Sequence, residues 1–318
     1  EGDFRWSSKD EGALTANLSR VIMSGGKEGL GHEESGGTEA TDSLPALDVT
    51  VQQFVLGDKA LGRLAVKARN EGGIWHLDAV SLGNPDGSFS GSGLWQPGRN
   101  GRTDLAFKLE TANIGRLLAR LGFPGAVKGG TATLDSKLQW SGPPTAIDYP
   151  SLTGKMNLEA GNGQFQKLEP GVGRLLGVLN LQSLPRRITL DFRDVFSEGF
   201  AFDRISGSID VKAGVMHTND LVIRGPAARV SLAGSADVAR ETQDLLVRVQ
   251  PTLSESVAVG AAASLLNPVA GVVTYLAQKA LADPIEKLFA FDYRISGQWQ
   301  DPKVEKLSTL QPAEKAPK

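Results

Sequence analysis

The sequence predicts a mainly β protein built as a long antiparallel meander. Apolar and polar residues alternate with period two through most of the 318 residues, which is typical of strands with one apolar and one wet face. Turn sequences rich in Asn, Pro, Asp and Gly separate these runs, as at 84–87, 97–101 and 213–214. The 38 glycines include several inside the runs, where glycine marks bends or bulges, so we expect a curved sheet.

The alternating runs follow one another along the chain with little between them except turns. The predicted strands centre on residues 47–52, 63–69, 104–110, 134–140, 155–159, 188–193, 204–212 and 229–234. One-sided solvation is common in antiparallel sheets and rare in parallel ones. The apolar residues on the shared face are the candidate groove lining, namely Leu64, Val66, Leu105, Phe107, Leu109, Leu134, Leu138, Trp140, Met156, Leu158, Ile188, Leu190, Phe192, Ile205, Ile209, Val211, Val230 and Leu232.

Two stretches lack the alternation. Residues 25–43 are glycine-rich and acidic, and we expect them to be a disordered insertion between two strands. Residues 308–318 are similar in composition and are expected to form a disordered tail. These features suggest a first β segment over 1–150 and a second over 151–307, the second carrying most of the helical sequence.

Short helices are predicted where helical spacing of apolar residues replaces the period-two alternation. Residues 111–122 place leucines at helical spacing, with Thr111 or Asn113 as the N-cap and Gly122 as the stop. Residues 170–181 repeat this pattern. Two interpretations stay open for these helices: they plug the end of the sheet, or they face a membrane or lipid.

Residues 255–282 form a third, more apolar helical segment. No charged residue occurs from 256 to 278, a length close to the roughly 20 residues of a spanning helix. Pro268 interrupts it, so two short apolar helices fit better than one straight span. They either touch a membrane or form a buried cap. The candidate membrane-contact residues are Leu265, Leu266, Val269, Val272, Val273 and Leu276.

Composition and motifs argue against several functions. The net charge of -2 does not favour a nucleic-acid partner held through phosphate contacts. His32, His76 and His217 have no acidic or histidine neighbours at metal-binding spacing. No nucleophile elbow or phosphate loop occurs in a suitable context. We therefore predict a protein without catalytic residues, metal or cofactor.

The pattern alone does not say what the apolar face meets. Alternating strands also build sandwiches and closed barrels, whose apolar faces bury one another and bind nothing. An open sheet would instead leave its apolar face for a ligand. Both architectures are compatible with the alternation.

Several runs resemble the C-terminal part of the AsmA-like family. The run from 200 to 238 reads FAFDRISGSIDVKAGVMHTNDLVIRGPAARVSLAGSADV, and the resemblance extends over about 151–307. It also includes EPGVGRLLGVLNLQSLPRRITLDFRDVFSEGFAFD, LLVRVQPTLSES and DPIEKLFAFDYRISGQWQDPKVEKL. Upstream, residues 112–142 resemble a general AsmA-like repeat.

This resemblance implies a bridge-like lipid transfer protein of a Gram-negative envelope. Its fold would be a long, curved antiparallel sheet forming an open, taco-like hydrophobic groove that carries phospholipids across the periplasm. An inner-membrane anchor would lie in a missing N-terminal part, and the C-terminal end would meet the outer membrane or an outer-membrane protein. The alternative is a non-catalytic envelope scaffold or outer-membrane assembly factor.

Overall fold

The computed structural model describes residues 2–8, 12–23, 45–166, 199–252 and 290–307. These residues form a 15-stranded sheet in which the strands lie in chain order, and the sheet does not close on itself. The strands are β1 Gly2–Ser7, β2 Ala13–Met23, β3 Ala46–Leu56, β4 Lys59–Glu71, β5 Ile74–Asn84, β6 Gly87–Gln96, β7 Arg102–Thr111, β8 Val127–Ser141, β9 Thr153–Phe165, β10 Phe200–Lys212, β11 Val215–Arg224, β12 Ala228–Asp237, β13 Thr242–Pro251, β14 Phe291–Gln298 and β15 Asp301–Leu307.

The predicted mainly β class and the open sheet are confirmed, with one departure from antiparallel pairing. β2 and β3 pair in parallel, from Ala13 opposite Ala46 to Met23 opposite Leu56. A parallel pair needs a connection of a dozen or more residues to bring the chain back to its starting end. The intervening sequence is long enough for this, although 24–44, including the predicted disordered insertion, lies outside the described residues.

The strand ends form two long rims. Rim A is the edge where residues 57–58, 85–86, 112–126 and 225–227 connect the strands, and rim B is the opposite edge, where 8–12, 72–73, 97–101, 142–152, 213–214, 238–241 and 299–300 connect them. The ends of β9 and β10 that flank 166–199 also lie at rim A, as do those of β13 and β14 that flank 252–290. The predicted apolar segments are therefore inserted at one rim.

The predicted helix at 111–122 is confirmed as α1, Ile114–Arg120, at rim A. Asn113 caps it, since its side chain accepts a hydrogen bond from the Arg116 backbone N–H at 3.0 Å. Gly122 follows with a φ of 98°, a left-handed conformation that suits glycine at a helix end. No helix in the described part of the chain has the length and apolar character needed to cross a membrane.

Other predicted elements are not described. The helices at 170–181 and 255–282, the strand at 188–193 and the tail at 308–318 lie outside the described ranges. β8 and β9 pair across residue 150, so the sheet continues there, and the division into two segments stays a prediction.

Bulges shift the register at four places in the sheet. Each adds one residue to a strand, near Gln53 in β3, Leu61 in β4, Asp78 in β5 and Asp220 in β11. Bulges bend a strand and increase its twist, which curves the sheet as expected. The extra residues in β3, β5 and β11 are polar, whereas Gly62, Gly91, Gly93, Gly207 and Gly234 lie in the strands next to them.

Candidate functional site

The strand register brings the apolar residues together on one face, which we call the inner face. Directly paired residues of neighbouring strands share a face. One row crosses from β2 to β9 and consists of Leu18, Val51, Leu64, Leu82, Phe89, Leu109, Leu134 and Leu158. The row beside it contains Ala16, Val49, Val66, Val80, Gly91, Phe107, Ser136, Met156 and Ile209.

These rows form a continuous apolar strip. Strands lie about 4.8 Å apart, so a row across eight strands extends roughly 34 Å. Ser136 is the polar interruption in the second row, and its hydroxyl donates to the Lys155 carbonyl at 3.4 Å. A hydrocarbon chain lying along the strip would therefore meet almost entirely apolar side chains.

All the described residues of the predicted groove lining lie on the inner face. The exposure of these side chains differs along the chain. Leu64, Val66, Phe107, Leu109 and Leu134 are only partly buried. Leu105, Leu138, Met156, Leu158 and Ile209 are also partly buried. The buried members are Trp140, Ile205, Val211, Val230 and Leu232. Ile188, Leu190 and Phe192 lie outside the described residues, as do all the candidate membrane-contact residues.

The inner face therefore has an accessible half and a packed half. The packed half is a cluster that runs through β10–β14, and Ile114 and Leu118 of α1 pack against it. Apolar surface that a ligand could contact directly lies mainly over β3–β9. The role of the lining residues in lipid contact stays a prediction.

Several inner-face residues were not predicted. Leu77, Val80 and Leu82 do not follow simple alternation because the β5 bulge at Asp78 inserts a residue between them. Phe89 lies in a glycine-rich strand with little apolar content. By contrast, Leu245, Val247 and Val249 do alternate, so the pattern already contained a signal for β13.

The outer face is polar and carries ion pairs between strands. Arg248 donates to both carboxylate oxygens of Asp292, at 2.7 and 2.9 Å, and these bonds lower the pKa of Asp292. Arg294 binds Asp244 in the same way, at 2.8 Å for both bonds, and lowers the pKa of Asp244. This face is suited to solvent, which leaves the inner face as the candidate site.

A buried carboxylate holds α1 at rim A. Asp86 in the β5–β6 turn accepts hydrogen bonds from Arg120, with Nε at 2.9 Å, and pairs with Arg116 at 3.3 Å. Arg120 also donates to the Ala60 carbonyl at 2.9 Å. Thr111 donates to the Asp86 carbonyl at 2.5 Å. The polar groups of Asp86, Thr111, Arg116 and Arg120 thus fasten the helix to the sheet.

A polar depression of about 1020 Å³ lies beside this turn, with Glu110, Thr133, Glu159 and Arg204 among its lining residues. Within the described ranges, no three His, Cys, Asp or Glu side chains are grouped so that they could hold a metal ion. The inner face, with its continuous apolar surface, is therefore the stronger candidate for a functional site.

Comparison with known proteins gives two matches. The family described as YhdP protein matches residues 1–304. The intermembrane phospholipid transporter YhdP of Escherichia coli (strain K12) is 33% identical over 247 residues, covering 75% of this chain and 19% of that protein. The chain thus spans about a fifth of the length of this relative. No solved structure gives a significant match. The matches confirm the AsmA-like resemblance and specify its YhdP type.

Proposed function

The chain belongs to the YhdP family, and on this premise we propose that it is a segment of a phospholipid conduit between the inner and outer membranes. The observation that carries the proposal is the continuous, partly exposed apolar strip from β2 to β9, backed by a polar outer face. The name of the curated relative describes an intermembrane phospholipid transporter. This kinship also supports a non-enzymatic role.

The physical advantage of the strip is that it replaces water around the acyl chains. Burial stabilises each methylene by about 0.8 kcal/mol, so a lipid with roughly thirty buried methylenes loses on the order of 20 kcal/mol when it enters water. An apolar strip removes much of this barrier. The attraction is non-directional, so the cargo can slide along the strip without breaking specific bonds.

The proposed setting is the periplasm. The full-length protein would be anchored in the inner membrane by a part outside this chain, and its C-terminal end would contact the outer membrane or an outer-membrane protein. Residues 255–282 are proposed to make the membrane contact. Support comes from the absence of charged residues between 256 and 278 and from the rim A position of the flanking strand ends.

The conduit is tested by placing a charge on the strip. Phe107→Glu puts a carboxylate among inner-face leucines, and we expect the purified protein to retain less phospholipid in native mass spectrometry and to transfer less between vesicles. Ala106→Glu is the matched control, because Ala106 is the preceding residue and lies on the outer face beside Lys137. It should retain and transfer lipid normally.

Folding must be separated from binding in this test. The milder Leu109→Gln is made alongside, and the thermal unfolding of every variant is measured. Normal lipid retention and transfer by folded variants at both inner-face positions would contradict the conduit.

Membrane contact is tested separately. Leu266→Asp and Val273→Asp should weaken binding to vesicles of phosphatidylethanolamine and phosphatidylglycerol, since a charge opposes transfer of the apolar segment into lipid. Ala239→Asp, at an exposed rim B position, is the control. Unchanged vesicle binding by both charged variants would refute the contact.

A scaffold role is the second candidate, favoured by the exposed edge strand β1. Phe4 and Trp6 are 76% and 56% exposed, and among the described strands β1 pairs with β2 alone, so its outer edge could pair with a partner strand. If the purified protein carries no lipid and forms a stable complex with another protein, the scaffold role is favoured over the conduit.

A further inference from the structure

All five tryptophans of the chain lie at rim B. Trp75, Trp95 and Trp140 occupy one cross-strand row at the rim B ends of β5, β6 and β8, with Thr103 of β7 between the last two. The remaining two are Trp6, near the rim B end of β1, and Trp299, in the β14–β15 connection. Rim A has no tryptophan. The distribution divides the groove into two chemically different sides.

Three of the indole N–H groups donate to backbone carbonyls at rim B. Trp75 donates to the Pro45 carbonyl at 3.0 Å, and Trp140 donates to the Pro143 carbonyl at 3.1 Å. Trp299 donates to the carbonyl of Thr242, the first residue of β13, at 3.2 Å. Amphipathic rings of this kind suit a boundary between hydrocarbon and polar groups.

Gln243 is an independent observation at the same rim. Its side chain belongs to an inner-face row between Ala236 and Gly297 and is only 5% exposed. Neither its amide nitrogen nor its amide oxygen has a hydrogen-bond partner in the described part of the protein. A buried polar group without a partner costs about 1–3 kcal/mol. A ligand with polar atoms at this position would remove that cost.

The inner face near rim A has a different composition. One row on the rim A side contains Ala132, Ala160, Ile205, Ile223, Val230, Val249 and Phe291. Among the described residues, the two buried polar ones of that side, Thr111 and Asp86, are already bonded in fastening α1. The inner face near rim A can therefore contact hydrocarbon chains, whereas near rim B it can contact both hydrocarbon and polar groups.

We propose that the phospholipid lies across the groove with its glycerol ester region at rim B and its acyl chains directed towards rim A. This orientation rests on the proposed function, because it assumes phospholipid as the cargo. The indole rings lie beside the ester region, and the amide N–H of Gln243 donates to the ester oxygens where the lipid passes β13. The headgroup then emerges at rim B.

The tryptophans provide the test, because intrinsic fluorescence reports on rim B alone. The full chain is loaded with phosphatidylglycerol whose acyl chains carry bromine, a contact quencher, either next to the ester or near the methyl end. Bromine next to the ester should quench at least twofold more strongly. The matched variant is Phe89→Trp, which adds an indole on the rim A side of β6, roughly 20 Å from Trp95; its added fluorescence should be quenched more by methyl-end bromine.

The outcomes separate the orientation from the conduit. Stronger quenching by methyl-end bromine, or equal quenching by both lipids, overturns the orientation and leaves lipid binding intact. Absence of quenching by either lipid, at Trp95 and in Phe89→Trp, overturns the proposed function as well.

Gln243→Leu gives a second test, in which protein stability should increase while lipid affinity decreases. Replacing an unpaired buried amide by leucine should raise the unfolding temperature, while the dissociation constant for phosphatidylglycerol should rise roughly fivefold through the lost hydrogen bond. Gln250→Leu, on the outer face of the same strand, is the control and should bind lipid normally. Unchanged affinity in a stabilised Gln243→Leu protein would show that the amide has no ligand role.

Discussion

At the scale of single residues, charged side chains secure the irregular parts of the outer face. Asp220 lies in the β11 bulge and accepts hydrogen bonds from the backbone N–H and the hydroxyl of Ser208, both at 2.8 Å. The backbone bond is the main reason that the pKa of Asp220 is lowered. A bulge leaves ladder groups unpaired, and this carboxylate supplies the missing acceptor for β10.

The lowered pKa values of Asp220 and Asp292 predict acid sensitivity. A carboxyl whose pKa is lower in the folded than in the unfolded state stabilises the fold above its unfolded pKa, and loses this effect as the pH falls through its folded pKa. We therefore expect the free energy of unfolding to decrease below about pH 4. Urea unfolding at neutral and acidic pH measures the decrease.

In Asp292→Asn, the free energy of unfolding should fall less between neutral and acidic pH than in the unmodified chain. The exposed position of Arg248 limits the loss at neutral pH to about 0.5–1 kcal/mol. Asp203→Asn serves as the control, because Asp203 forms no ion pair with the described residues. An acid response in Asp292→Asn equal to that of the unmodified chain would show that this pair does not contribute.

At the scale of elements, α1 shows how far local sequence information extends. Its position was predictable because the leucine spacing, the Asn113 cap and the Gly122 stop are all local signals. The Asp86 turn was also predictable as a turn. Its attachment to Arg116 and Arg120 was not, because those residues meet only when β6 and β7 place the turn beside the helix.

Gly115→Ala separates helix propensity from packing. Alanine favours a helix by up to about 1 kcal/mol over glycine, yet a Cβ at residue 115 would collide with the carbonyl oxygen of Val127 in β8. Overpacking costs about 1–3 kcal/mol. We expect lower overall stability and faster amide hydrogen exchange in α1.

Ala119→Gly at an exposed position of α1 calibrates the helix propensity in this setting. A more stable Gly115→Ala protein would mean that α1 can move away from β8 without cost. The packing of α1 against β8 would then contribute less stability than the close contact at residue 115 indicates.

At the scale of the whole molecule, the apolar face is accessible over one part and packed over another. The partly buried Leu109 and Leu134 contrast with Leu232 and Val247, which are 3% and 1% exposed. Alternation assigned each of the groove-lining residues to the same face. It could not show this gradient, because burial depends on contacts between strands and helices that are distant in sequence.

Single cysteines can map this gradient, because the chain has no cysteine of its own. Leu109→Cys should react with a maleimide and should be protected when phosphatidylglycerol is bound, whereas Leu232→Cys should react slowly in either condition. Lys108→Cys, on the outer face, should react quickly with or without lipid. Lipid protection of Lys108→Cys, or none at Leu109→Cys, would place the cargo elsewhere.

Local sequence patterns were sufficient to predict many of the described strands, the face to which most of their apolar residues belong and the helix at rim A, because side-chain alternation and capping are properties of neighbouring residues. Local patterns did not predict the parallel pairing of β2 with β3, the bulges, the gradient of burial or the position of all the tryptophans at one rim. These features depend on register between strands, which joins residues far apart in the chain and leaves no local pattern.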